Sequence, residues 1–122
     1  MLTGTQSNMK VDQNNMKPVD DLANEINGWK AKYGEHNVHQ ADIESDEGIL
    51  TYIIRKPGRK EIDAMAHHKS NNDVTKANNV LISNCILHGD KDIIERDGDV
   101  YAEVLLKISA LVKKRESAIK KL

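Results

Sequence analysis

The sequence predicts an α+β domain: an N-terminal helix, a β-hairpin, and then a mainly helical C-terminal part of three to four helices. Three observations carry this expectation. Residues 73–89, DVTKANNVLISNCILHG, put Val74, Ala77, Leu81, Ile82, Cys85 and Ile86 on one stripe of a 3.6-residue helix. Residues 38–55 hold two β-prone runs separated by Ser45-Asp46-Glu47-Gly48, the composition of a hairpin turn. Residues 18–33 and 100–122 each repeat apolar side chains at helical spacing.

Bulk properties bound the rest. At 122 residues the chain suits one small domain with a modest core. Aromatics are 3% with no Phe, so that core is built from Leu, Ile and Val. A net charge of −1 supplies no global field for nucleic acid or an anionic membrane. The single Cys excludes an intrachain disulfide and is compatible with a reducing compartment. No apolar run approaches transmembrane length, and residues 1–17 lack the apolar segment of a signal peptide. A soluble, intracellular protein is expected.

Residues 1–17 scatter Met, Leu and Val in a polar background without period, and read as a flexible tail preceding a single domain at 18–122. Pro18 suits the first turn of a helix running to Tyr33. Val19, Leu22, Ile26, Trp29 and Tyr33 form its stripe, Gly28 weakens its interior, and Gly34 closes it. The hairpin follows, with residues 38–44 and 49–55 as strands and the second strand the more apolar. Pro57 and Gly58 end it. A two-stranded hairpin is marginal alone, so it must pack on helices or gain strands. Arg59 to Lys69 reads as a helix with Ile62, Met65 and Ala66 on its inner side. The central helix takes Asp73 as N-cap and Gly89 as C-cap. A short turn or helix carries Ile93 and Ile94, and the last helix runs from Val100 towards Leu122, with Asp99 as its N-cap. The expected core is Leu22, Ile26, Trp29, Ile53, Leu81, Ile82, Cys85, Val104, Ile108 and Leu111.

No catalytic, cofactor or metal site emerges. Adjacent His67 and His68 point about 100° apart on a helix and chelate poorly. Cys85 sits on an apolar stripe and reads as a small core residue. Asp90-Lys91-Asp92 and Asp97-Gly98-Asp99 lack the remaining ligands of a calcium loop and read as caps and turns. The feature with most surface chemistry is Arg55-Lys56-Pro57-Gly58-Arg59-Lys60, four cations in six residues between strand and helix. It suits an acidic partner or phosphate; without interleaved aromatics it is a poor nucleic-acid site. Lys113 and Lys114, on the last helix, are the other partner-binding candidates.

Trp29-Lys30-x-Lys32-Tyr33-Gly34, Tyr52-x-x-Arg55-Lys56-Pro57-x-Arg59-Lys60, Lys76-Ala77-Asn78, Leu81-Ile82-x-Asn84-Cys85, Gly89-Asp90 and the terminal Lys120-Lys121-Leu122 together resemble the tail assembly chaperone-like proteins of bacteriophages and prophages. The resemblance spans residues 22–122 and carries no catalytic residues. It implies a non-enzymatic protein without cofactors in the bacterial host cytoplasm. Such a protein binds the long helical tape-measure protein or another tail protein during morphogenesis, and a homo-oligomer is compatible with it. Two alternatives stay open: a structural virion component, a small head or tail accessory protein with an N-terminal arm, and a small nucleic-acid-binding regulator using Arg55, Lys56, Arg59 and Lys60.

Overall fold

The computed structural model describes residues 17–112 and 117–122. A 3-10 turn at Val19–Asp21 leads into α1 (Ala23–Tyr33), and a second one, Glu35–Asn37, leads into the hairpin of β1 (Val38–Ser45) and β2 (Gly48–Arg55). Then follow α2 (Arg59–Ser70), α3 (Val74–Cys85), β3 (Ile86–His88), α4 (Lys91–Arg96) and α5 (Gly98–Ala110). The chain is α+β, with an antiparallel sheet in the order β1-β2-β3. No described helix is long and apolar enough to cross a membrane.

The hairpin forms where local chemistry favours it. Ser45 pairs with Gly48, leaving a two-residue turn in which the Ser45 hydroxyl donates to the Gly48 carbonyl and accepts from the Glu47 amide. Gly48 takes φ +104°, a conformation that a Cβ disfavours. Register is unbroken from Val38↔Arg55 to Ser45↔Gly48. Ala41, Ile43, Tyr52 and Ile54 therefore share one face, where they meet Leu81, Cys85, Ile86, Ile93, Val100, Val104 and Ile108 in an aliphatic core. Helix α5 packs on β1, and both α3 and α4 pack on α5. Val38 and Ile53 alternate to the opposite face and, with Leu22, are buried outside that cluster, on the side where α1 meets β1.

Several expectations are corrected. The first helix does not begin at Pro18; a 3-10 turn precedes it, and the helix starts at Ala23. Helix α1 buries no residue, so Ile26 and Trp29 are half-buried at the margin while Leu22, just ahead of it, is the anchor. The central helix ends at Cys85, not Gly89, because Ile86–His88 leaves it to pair with the free edge of β2. A third strand pairs the edge of β2, which another helical turn would leave open. The N-cap of α5 is Asp97, which accepts from the amides of Asp99 and Val100, and Asp99 sits inside the first turn. The last helix stops at Ala110, and residues 117–122 are not helical. Among the described residues Leu111 is the last to pack against the core, and Ile119 and Leu122 are fully exposed. The tail, apart from Lys17, and Lys113 to Glu116 lie outside the described residues.

A buried hydrogen bond fixes the chain just after β3. The Tyr52 hydroxyl, buried and so held well above the usual phenol range, donates to the Asp90 carbonyl at 2.6 Å. The Asp90 carboxylate in turn accepts from the amides of Asp92 and Ile93, capping α4. Gly89 crosses directly over the Tyr52 ring at φ +139°, and a Cβ there would lie 2.0 Å from a ring carbon. Two glycine substitutions thus have opposite signs. Gly28→Ala meets open space in an exposed helix interior, and should raise stability by about 0.5–1 kcal/mol. Gly89→Ala should lower it by about 2–3 kcal/mol through ring displacement and backbone strain. Urea unfolding of the two variants checks both signs.

Candidate functional site

The cationic segment between strand and helix does not sit on the surface as one block. Arg55, the last residue of β2, is 8% exposed. Its guanidinium forms a two-toothed pair with Glu61, Nη2 to Oε2 at 3.0 Å and Nη1 to Oε1 at 3.3 Å. Nε donates to the Asn84 carbonyl, Nη1 also donates to the Lys56 carbonyl, and the group lies 4.5 Å from the Tyr33 ring centroid. This corrects the expectation that Arg55 is available to a partner. Its charge is spent internally, where one buried fork joins β2 to α1, α2 and the end of α3.

Glu61 is the matching surprise. It sits at the third position of α2, where its Oε1 accepts from the Gly58 amide at 2.8 Å. This is half of a capping box, since glycine has no side chain to return the bond. Asn84 Nδ2 donates to Oε2 at 3.3 Å. Hydrogen bonding from Arg55 leads the causes that hold this carboxyl down at about 2, and the Gly58 amide adds to it against the opposing effect of burial. Because Glu61 must face Arg55, the inward stripe of α2 is Glu61, Ala64, Met65 and His68, one helical position away from the expected Ile62, Met65 and Ala66. Ile62 is 41% exposed and Ala66 is also outside. Cys85, fully buried beside this pair, is pushed up to about 11 by desolvation and stays a neutral thiol.

What remains on the surface is a basic end. Arg59 and Lys60 open α2 and are exposed, Arg59 only loosely paired with Asp63 at 3.4 Å. Lys56 is half-buried, and its amide donates to the Asn37 carbonyl, which draws the segment after α1 against the end of β2. Lys32, exposed at the end of α1, reaches over the Tyr33 ring at 5.2 Å. The fold therefore adds Lys32 to Lys56, Arg59 and Lys60. Sequence reading missed it, since the only local signal was a Lys in the last turn of a helix, where dipole complementarity already explains it. Lys113 and Lys114 lie outside the described residues. Among the described residues no group of three or more His, Cys, Asp and Glu forms a metal site; His88 Nε2 lies 2.9 Å from the Lys17 carbonyl, and His67 and His68 meet edge to face. The basic end can attract carboxylates or phosphates electrostatically. The chain matches no protein-family model, no curated protein and no solved structure at a significant level.

Removing one partner of the buried pair has a defined consequence. Glu61→Gln leaves the Arg55 charge uncompensated and should lower stability by about 3–5 kcal/mol. Arg55→Met with Glu61→Leu should recover most of that loss. The sign with pH follows from a folded value of about 2 below an ordinary 4.5. The contribution of Glu61 is full above the ordinary value and is lost as pH falls from there through about 2. Denaturation midpoints across that window, in wild type and Glu61→Gln, should converge at the acid end.

Proposed function

We propose that this chain is a non-enzymatic binding protein of the tail assembly chaperone kind, acting in the cytoplasm of a bacterial host. Its basic end, Lys32, Lys56, Arg59 and Lys60, holds an acidic helical segment of the tape-measure or another phage tail protein. The observation that carries this reading is the division of labour at the strand end. Arg55 is consumed by Glu61, and the pair anchors the backbone on both sides of the loop. The neighbouring cations are thereby presented on a fixed frame, so little conformational entropy is lost on binding. The resemblance through Trp29–Gly34, Tyr52–Lys60 and Asn84-Cys85 supports the same assignment. Nucleic acid fits this end less well, because the Tyr33 ring already serves Arg55 and Lys32 and is not free to stack a base.

The test is capture of tagged protein from a lysate of cells carrying the parent phage, read by mass spectrometry. Wild type should recover a long helical tail protein absent from the captures of the K56E/K60E variant, or reduced there by about tenfold, roughly 1.4 kcal/mol. Recovery of capsid, portal or tube subunits, with the protein present in purified particles, would replace this reading with a structural virion component. A salt-sensitive shift of DNA by wild type alone would replace it with a nucleic-acid regulator.

A further inference from the structure

Strand β1 is an edge strand of eight residues, longer than the usual ~5–6, and its register against β2 has no bulge. Natural sheets blunt such an edge with charged side chains (Lys above all), Pro, a bulge or a covering element; β1 carries two charges, Asp42 and Glu44, both of one sign and so open to a basic complement. Val38–Ser45 contains neither Pro nor Lys, and among the described residues no strand pairs with its outer side. Helix α5 packs on the face of β1 that carries Ala41 and Ile43, and α1 meets β1 near its start at Val38; on the opposite face Gln40, Asp42 and Glu44 are exposed, as is His39. The strand is a ready template for another strand.

Charge along the hairpin says which one. At the end where β1 begins and β2 finishes stand Lys32, Lys56, Arg59 and Lys60, offset by Glu35 and Asp63. At the turn end stand Asp42, Glu44, Asp46 and Glu47. The Glu47–Arg96 bridge at 3.6 Å brings the end of α4 there too, with Glu95, Asp97 and Asp99 nearby in the chain. The molecule is nearly neutral, yet its charge is separated along the axis of β1. A second copy laid antiparallel along β1 sets each acidic end beside the other copy's basic end. Parallel pairing would superpose like charges.

We propose that two copies of this chain pair through β1, antiparallel, with Ala41 opposite Ala41 of the second copy on the two-fold axis. The two three-stranded sheets become one of six strands, with the helices on the same side in both copies. Same-face alternation then sets Gln40 opposite Asp42 and Val38 opposite Glu44 across the junction. It avoids the arrangement with Asp42 on the axis, which would bring two carboxylates together. The contact is carried by main-chain hydrogen bonds, as in other edge-strand additions. The basic end only sets the orientation; the contact itself is the main chain of β1, and the cross-links below read it with no tail protein present, so its failure is distinguishable from failure of the partner reading above.

Sedimentation equilibrium of the full chain should give a dimer. Under mild oxidation, a mixture of the Gln40→Cys and Asp42→Cys chains should yield a disulfide-linked dimer, because directly opposed Cβ atoms lie about 5 Å apart, and neither chain alone should. Cys85 is fully buried and does not compete. Both substitutions are on exposed strand positions, and unchanged circular dichroism confirms the fold. A monomer at the highest soluble concentration would overturn the proposal. So would a dimer in which the mixture gives no link, or in which Gln40→Cys alone links.

Discussion

The buried pair of Arg55 and Glu61 is the constraint on which the arrangement of this protein depends. Each charge taken alone would be intolerable at this burial, because desolvating an ion outweighs most single contacts. Together, with Asn84, the Lys56 carbonyl and the Gly58 amide, four of the five guanidinium N–H groups and both Glu61 oxygens find partners, and the Tyr33 ring lies against the guanidinium. The pair joins the end of β2 to α2 six residues later, and through the Asn84 carbonyl to the last turn of α3. An apolar pair of the same volume would hold these elements as firmly, but would leave the rotation of α2 about its axis loosely defined. A fork of two parallel hydrogen bonds leaves one rotation.

That rotation has a cost in apolar burial and a consequence for the surface. With Glu61 inward, Ile62 lies out, and α2 buries only Glu61 fully. The helix is then held by its N-terminal ion pair and by its hairpin with α3, and Met65 is the side chain of its half-buried stripe that packs on the core cluster. The same geometry turns Arg59 and Lys60 outward at the first turn of α2. The cations that can meet a partner are therefore those the ion pair does not use, and their positions are set by the one it does.

The parts of the fold legible in the sequence were those decided locally. The hairpin follows from β-branched runs and a glycine at the turn, and Asp73 as a cap follows from one side chain and the amide of Lys76. Periodicity found the core stripe of α3 at Ala77, Leu81, Ile82 and Cys85. It failed where the deciding partner is distant. Ile86 continues the helical stripe perfectly, and only the open edge of β2 makes it a strand. Arg55 and Glu61 both belong to residue types that pattern reasoning sends to the solvent, so their pairing has no signature in either neighbourhood. Lys32 reaches the same end because the Tyr33 ring beneath it also packs on the Arg55 guanidinium. The basic end was thus half legible: its loop was visible, while the loss of Arg55 and the gain of Lys32 required the tertiary structure.

Strand β2 explains why one small sheet offers two different surfaces. One of its ends carries Arg55 and hence the cationic corner; four positions from that end, counting inclusively, Tyr52 reaches the Asp90 carbonyl and fixes β3 and α4. Both pins act on the β3 side or at the strand terminus, where helices then crowd the sheet. On the far side β1 is held by its ladder to β2, by α5 on one face and by α1 near Val38, and no described strand pairs with its outer edge. A rigid central strand with both pins on one flank leaves the other flank ordered but unpaired. Order is what an added strand needs, since a frayed edge would lose backbone entropy on pairing. The ion pair that spends Arg55 internally therefore bears on both flanks: it fixes the frame of the basic end, and it anchors the end of β2, to which β1 is laddered from Val38↔Arg55 onward.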